Sequence, residues 1–301
     1  MPLMNKDNPL FEAARMGRRL PNIFLSIVVL LVLAVIVFGA TGIIGERIYA
    51  DPDNPDAYYD SVLFLVAPFL LLVVGLWGWM AAYEKRPFWT VGLPLQGWLK
   101  KYLLGLLLGF GMLSLVVTLM AATGTVSLDD STAQQHGVAA LGSVFLFLIA
   151  MIVQGGSEEV LIRGWMLQTI GARYRPLVSV IVASLLFVAF HGSIEPMVVI
   201  NLVLFSLFVT FYCLREGSIW GVCGWHAAWN WSQGHFYGLS VTGHEQAGGT
   251  VLDLKTAGSS ILSGGDFGPE ASMMCTVVLL AGVAAIIVKA RSLSGLSKSM
   301  K

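Results

Sequence analysis

The sequence is poor in charged residues. Asp, Glu, Lys and Arg make up 12% of the 301 residues and 56% are hydrophobic, whereas a soluble globular protein contains about 25% charged residues. Acidic and basic residues are equal in number, 18 of each, so the formal net charge is zero. The composition excludes an ordinary soluble domain, and the lack of excess positive charge gives no electrostatic basis for binding nucleic acid.

Cysteine is also scarce. Cys213, Cys223 and Cys275 each lie in an apolar segment, and none belongs to a CxxC pair. This distribution indicates small buried side chains rather than a disulfide framework or a cysteine-based zinc site.

Several common hydrolase motifs are missing. Residues 244–248 (HEQAG) begin like the HExxH motif of zinc proteases but lack the second histidine. Residues 263–266 (SGGD) lack the first glycine of the GxGD motif of two-aspartate proteases, and no GxSxG nucleophile elbow is found. A hydrolase with this sequence would therefore need a different set of groups.

The sequence is rich in long apolar runs. A helix needs roughly 20 apolar residues to cross a bilayer, and runs of this kind occur at 22–44, 62–83, 102–123, 138–155, 177–191, 196–214, 218–237 and 271–289. We therefore predict an all-α, polytopic integral membrane protein in a lipid bilayer, with about eight transmembrane helices. A short or broken helix at about 157–172, set off by Gly155-Gly156, would carry an additional polar motif.

Charges alternate between the loops that join these runs. The basic residues on one side are Lys6, Arg15, Arg18, Arg19, Lys85, Arg86, Lys100, Lys101, Arg173, Arg175, Lys289, Arg291, Lys298 and Lys301. The acidic residues on the other side are Asp51, Asp53, Asp56, Asp60, Asp129 and Asp130. Because basic loops stay in the cytoplasm, both termini are predicted to be cytoplasmic.

The predicted organisation has five segments. They are a cytoplasmic arm (1–21), N-terminal transmembrane helices (22–137), a core with polar motifs (138–237), an extracytoplasmic loop (238–270), and a last transmembrane helix with a cytoplasmic tail (271–301). The loop is rich in glycine and serine, so we expect it to be the least ordered part of the chain. We find no internal repeat and no second domain.

Ionisable and amide side chains interrupt three of the apolar segments. They form the patterns Glu158-Glu159-xxx-Arg163, Phe187-xxx-His191 and His226-xxx-Asn230. Since bare charge is costly inside a membrane, such residues indicate a functional site.

Helix geometry relates these residues to one another. Residues four apart share a face, so Glu159 and Arg163 are predicted to pair. Glu158 points about 100° away and stays free for chemistry. At about 1.5 Å per residue, Glu158, His191 and His226 lie roughly 22, 24 and 15 Å from the cytoplasmic edge, so that all three can share the middle of the bilayer.

These groups suit hydrolysis of an amide bond. A carboxylate can act as general base toward water, and an imidazole can hold that water. A second imidazole and an amide NH2 can stabilise an oxyanion. Two histidines and a glutamate could instead bind zinc, and this alternative stays open.

The ordered patterns EExxxR, FxxxH and HxxxN resemble the CPBP family of intramembrane proteases, over roughly residues 140–237. This family includes CAAX prenyl endopeptidases of the Rce1 type and bacteriocin-processing or immunity (Abi) relatives. The resemblance implies a metal-independent endopeptidase without a cofactor in a bacterial cytoplasmic membrane. Its substrate would be a membrane-associated peptide or protein, prenylated or bacteriocin-like.

The resemblance also implies roles for individual residues. Glu158 would activate water that His191 helps to hold, while His226 and Asn230 would form the oxyanion hole. The supporting residues would be Glu159 and Arg163, which shape the site, and Phe187, which packs under His191.

Other interpretations remain at this point. The Glu159–Arg163 pair could be purely structural, and His226 with Asn230 could simply join helices by hydrogen bonds. The whole protein could be a non-enzymatic immunity or scaffold protein that binds a toxin peptide or a partner. A proton-coupled transporter is a third class, but it would be expected to show broken helices in two related halves.

Overall fold

The computed structural model describes residues 2–50, 57–129, 135–245 and 247–299. Its α-helices are α1 (Pro9–Ala14), α2 (Ile23–Ala50), α3 (Ala57–Trp79), α4 (Trp98–Ala122), α5 (Leu141–Glu159), α6 (Gln168–Arg173), α7 (Pro176–Phe190), α8 (Pro196–Glu216), α9 (Trp220–Trp231), α10 (Ser260–Ser263) and α11 (Met273–Ser299). Two short strands, β1 (Val126–Leu128) and β2 (Leu254–Thr256), pair antiparallel. The predicted loop charges Asp51, Asp53, Asp56, Asp130 and Lys301 lie outside the described residues.

The predicted all-α membrane fold is confirmed. Each of the eight apolar runs forms a helix, namely α2, α3, α4, α5, α7, α8, α9 and α11. Among the described residues, six helical stretches are long and apolar enough to cross a membrane. Helix α7 is apolar but shorter, so the count of eight crossings stays a prediction.

The helix that carries the two glutamates is one continuous stretch, Gly137–Arg173. The break predicted at Gly155-Gly156 does not occur there, because both glycines lie inside α5. The helix is irregular further along, where a π-helical segment runs from Val160 to Leu167. A Cβ at Gly155 would come within 3.2 Å of the backbone nitrogen of Ala227. Gly155 therefore serves close packing against α9 rather than ending the helix.

Helix α9 is surrounded by protein. It packs against both α4 and α5, and every residue from Gly221 to Asn230 is buried. Its polar side chains therefore face other helices and not lipid tails, as expected for ionisable groups inside a membrane.

Glycines let α4 and α9 approach closely. A Cβ at Gly105 would lie 2.0 Å from the carbonyl oxygen of Gly221, and a Cβ at Gly109 would lie 2.2 Å from that of Trp225. Gly224 of α9 meets the carbonyl of Tyr102 at 2.3 Å in the same way. Small residues of this kind allow backbone contact between membrane helices, and here they fix the helix that carries His226.

A buried ion pair joins the N-terminal helices to the helix of the glutamates. Arg86 donates from Nε to Glu84 Oε2 at 2.5 Å, and both side chains are fully buried. The other oxygen of Glu84 accepts from the indole N–H groups of Trp79 at 2.9 Å and Trp165 at 2.6 Å. Arg86, counted above as a loop charge, is thus an internal charge, and Trp165 links the pair to the π-helical segment.

The loop at 238–270 has more structure than its composition suggests. Its strand β2 pairs with β1, and Lys255 forms an ion pair with Asp129 at 3.0 Å. At its end, Glu270 accepts a hydrogen bond from the indole of Trp229 at 3.1 Å. The described part of the loop is therefore tied to the helix bundle.

The close approach of α4 and α9 leads to a prediction. Gly109→Ala should destabilise the protein by about 1–3 kcal/mol, because the added methyl group overlaps the α9 backbone and the helices must separate. Gly111 provides a matched control on the same helix, since a Cβ there meets nothing within 4 Å. Thermal unfolding in detergent should show a lower midpoint for Gly109→Ala and no loss for Gly111→Ala; equal midpoints would contradict the close contact.

Candidate active site

The second glutamate forms a fully buried ion pair. Arg163 donates from a terminal nitrogen to Glu159 Oε1 at 3.1 Å, and neither side chain is exposed. The pair predicted from the four-residue spacing is therefore present. Arg163 also donates to Ser206 Oγ at 3.0 Å, and its guanidinium carbon lies 4.5 Å from the centre of the Phe187 ring. This cation–π contact and hydrogen bond attach the motif to α7 and α8.

His226 contacts both glutamates. Its Nδ1 lies 2.9 Å from Glu159 Oε1 and its Nε2 lies 4.0 Å from Glu158 Oε2. An ionised carboxylate only accepts hydrogen bonds, so Nδ1 must carry a proton. A neutral ring would then have a lone pair on Nε2. Only a doubly protonated ring can donate a hydrogen bond from Nε2 to an oxyanion while its Nδ1 donates to Glu159.

Glu158 is the more accessible carboxylate. Its side chain is 25% exposed, whereas that of Glu159 is completely buried. Glu158 is not paired with Arg163, but its Oε1 accepts a hydrogen bond from Gln154 Nε2 at 2.5 Å. Its second oxygen faces His226 across a gap of 4.0 Å. This arrangement places one oxygen of an accessible carboxylate near an imidazole.

Asn230 lies one turn after His226 and is buried. Its Nδ2 donates to Gln154 Oε1 at 3.0 Å. His226 and Asn230 thus both point toward α5, as their spacing predicts. An amide NH2 has two protons, so one of them remains for another acceptor.

His191 follows the last residue of α7. Its Nδ1 lies 2.7 Å from the carbonyl oxygen of Phe187. Since a carbonyl only accepts, Nδ1 carries a proton; in the neutral ring Nε2 is then an acceptor, which suits a residue that holds water. The Phe187 ring lies 4.5 Å from the His191 ring and 6.5 Å from the His226 ring. In the part of the chain that the structure describes, no hydrogen bond joins His191 to Glu158 or His226, so Phe187 is the link.

The zinc alternative requires several donors around one point. Among the described residues, no group of three or more His, Cys, Asp or Glu side chains is arranged to hold a metal ion. The two histidines and Glu158 are thus not gathered into one ligand set in this structure.

Sequence reasoning missed two residues of this network. Gln154 stands one helical turn before Glu158, a spacing that could have identified it. Ser206 lies 43 positions from Arg163, and no local pattern connects the two. Ser206 also donates to Ser184 at 3.0 Å, so a chain of hydrogen bonds runs from the buried ion pair to α7.

The comparison with protein families agrees with the motifs. Residues 140–232 match the model of the type II CAAX prenyl endopeptidase Rce1-like family. The predicted resemblance is confirmed for this segment. All seven site residues predicted from the sequence lie inside this Rce1-like segment. Neither the search of curated proteins nor that of solved structures gave a match.

The Rce1-like family, together with the apolar helices, supports an intramembrane hydrolase of the protease class. Helices α2 to α4 and α11 lie outside the matched range. Helices α3, α4 and α11 pack against α5, α9 and α8 of the Rce1-like segment, and α2 packs against α3. These outer helices carry none of the motifs.

The buried ion pair leads to a second prediction. Arg163→Met should destabilise the fold by about 3–5 kcal/mol, because the Glu159 carboxylate stays buried without its guanidinium partner. Adding Glu159→Gln should restore most of this loss, since the double variant buries no charge at the pair. Unfolding of the purified protein in detergent would measure both effects.

Lys100→Met removes an exposed cation and serves as the control for loss of positive charge. A double variant as unstable as Arg163→Met alone would contradict the electrostatic explanation.

Proposed function

We propose that this protein is an intramembrane endopeptidase in which Glu158 activates the attacking water. The observation that carries the proposal is the pairing of a partly exposed Glu158 with a buried His226 that a second carboxylate orients. One glutamate is committed to the ion pair with Arg163, and the other is left at the accessible side. This division suits a site that needs both a fixed framework and a base.

Water attack would begin at Glu158. Its free oxygen takes a proton from water while the water oxygen attacks the peptide carbonyl carbon. His191, whose Nε2 is an acceptor, helps to hold the water. When the tetrahedral intermediate collapses, the C–N bond breaks and Glu158 returns the proton to the leaving amine.

The oxyanion of that intermediate would be stabilised from α9. The remaining N–H of Asn230 and a protonated Nε2 of His226 are the donors, and both are fixed before the reaction. Donors that are already oriented in a water-poor site stabilise the developing charge without having to reorganise.

The proposed substrate is a membrane-associated peptide or protein. The two glutamates lie on a helical stretch that is long and apolar enough to cross a membrane, so a substrate with a lipid anchor or an apolar segment can reach them from the bilayer. The family description supports a prenylated CAAX sequence as the first substrate to test. A bacteriocin-like peptide is the alternative within the same reaction class.

We further propose that the protein works without a resident metal ion or cofactor. The alternation of basic and acidic loops supports two cytoplasmic termini and an extracytoplasmic loop at 238–270. A bacterial cytoplasmic membrane is the proposed location. The division of the chain into five segments is likewise proposed, from the apolar runs and the loop charges of the sequence.

Replacing the proposed base gives a third prediction. Glu158→Gln should reduce cleavage by about 10²–10⁴-fold, because the amide cannot accept the proton of water. The assay uses protein in liposomes, an internally quenched peptide with a farnesylated CAAX end, and mass spectrometry to locate the cut bond. Glu12→Gln, at an exposed position on α1, is the matched control and should cleave like the wild type.

Full activity of Glu158→Gln would contradict the proposed mechanism. If the wild type cut none of the farnesylated, unmodified and bacteriocin-like peptides, and a variant lacking Glu158, His191 and His226 kept its cellular role, the protein would be a scaffold or immunity protein.

The role of metal gives a fourth prediction. Cleavage should be unchanged after treatment with 1,10-phenanthroline, because Glu158 and not a metal ion activates the water. Activity that is lost with the chelator and returns only when Zn²⁺ is added would show a metalloprotease instead.

A further inference from the structure

We propose that Gln154 is a positioning residue that fixes the geometry of the general base and of the oxyanion donor together. Its Nε2 donates to Glu158 Oε1 at 2.5 Å, and its Oε1 accepts from Asn230 Nδ2 at 3.0 Å. A single side chain thus bridges α5 and α9 at two of the residues that the mechanism uses, Glu158 and Asn230. The inference rests on the proposed function of Glu158 and Asn230.

The bridge needs an amide. Glu158, as an ionised carboxylate, accepts but cannot donate, so Gln154 must present its NH2 to it. The carbonyl of Gln154 then points the other way and can only accept, so Asn230 must in turn present its own NH2. The orientation of the Asn230 amide therefore follows from the charge on Glu158 through Gln154.

This orientation has two consequences for the reaction. First, Gln154 occupies Oε1 of Glu158, so the carboxylate keeps Oε2 directed toward His226. Second, Asn230 turns its NH2 toward the site, and the proton that is not given to Gln154 is available to an oxyanion. Without the bridge, the Asn230 amide could rotate and present its oxygen, which would repel the developing negative charge.

Gln154 is well placed to act in this way. It lies on α5 one turn before Glu158, and it is partly buried. Its neighbour Gly155 allows the backbone of α9 to come close, with a would-be Cβ only 3.3 Å from the Cγ atom of the His226 ring. The short distance between the helices lets one glutamine side chain reach both partners.

The test replaces the amide by a side chain of similar length that forms no such hydrogen bonds. Gln154→Met should lower kcat on the farnesylated CAAX peptide by roughly 10–100-fold, since small displacements of catalytic groups have effects of this size. KM and the midpoint of thermal unfolding should stay near wild-type values. Gln168→Met is the matched control, because Gln168 is a buried glutamine of the same continuous helical stretch whose amide has no hydrogen-bond partner among the described residues. It should leave kcat unchanged.

A double variant separates positioning from an independent effect. If Gln154 acts through Asn230 and Glu158, the total loss of kcat in the double variant Gln154→Met/Asn230→Ala should be a much smaller factor than the product of the losses in the two single variants. Full multiplication of the two effects would overturn the proposal, and so would a fall in the thermal midpoint that accounts for the loss of kcat.

An activity-independent measurement keeps the two proposals distinguishable. The protein is labelled with ¹³C-glutamate, and the infrared carboxylate band of Glu158 is assigned as the band that disappears in Glu158→Gln. The frequency of this band should shift in Gln154→Met and in Gln154→Leu but not in Gln168→Met. An unshifted band overturns the role of Gln154 even if Glu158 proves essential. A shifted band, together with a wild type that cuts none of the farnesylated, unmodified and bacteriocin-like peptides, would count against the proposed function and leave the bridge intact.

Discussion

The burial of the Glu159 carboxylate is the constraint on which the site depends. A negative charge in an apolar helix bundle is stable only when it is paired and hydrogen-bonded. Arg163 supplies the charge, and His226 supplies a second bond to the same oxygen. Because Arg163 also contacts Ser206 and Phe187, this one carboxylate holds helices α5, α7, α8 and α9 in a common arrangement.

Two adjacent glutamates take different positions for a geometric reason. Neighbouring helical residues point about 100° apart, so Glu159 faces the protein interior and Glu158 faces the accessible side. Burial and the ion pair commit the first to structure. The second is more accessible, and Gln154 donates to only one of its two oxygens, which is why we propose Glu158 and not Glu159 as the base.

Helices outside the Rce1-like segment support the site by contact. The glycines of α4 allow α9 to lie against it, and the buried Glu84 receives a hydrogen bond from Trp165 just beyond the glutamate motif. Both contacts restrain the two helices that carry Glu158, His226 and Asn230. The N-terminal part of the chain thus helps to position the helices of the site, although it contributes none of the motif residues.

Local rules were sufficient for part of this protein. Hydropathy predicted eight helical segments because a bilayer demands long apolar runs, and the four-residue spacing predicted the Glu159–Arg163 pair because both residues lie on one helical face. Only the tertiary structure decided that Gln154 joins Glu158 to Asn230, that Glu84 meets Trp165, and that the glycine pair lies inside a continuous helix. These contacts depend on how far apart two helix axes lie and how the helices are rotated. Those quantities arise from the packing of many side chains, and no short pattern in the sequence specifies them.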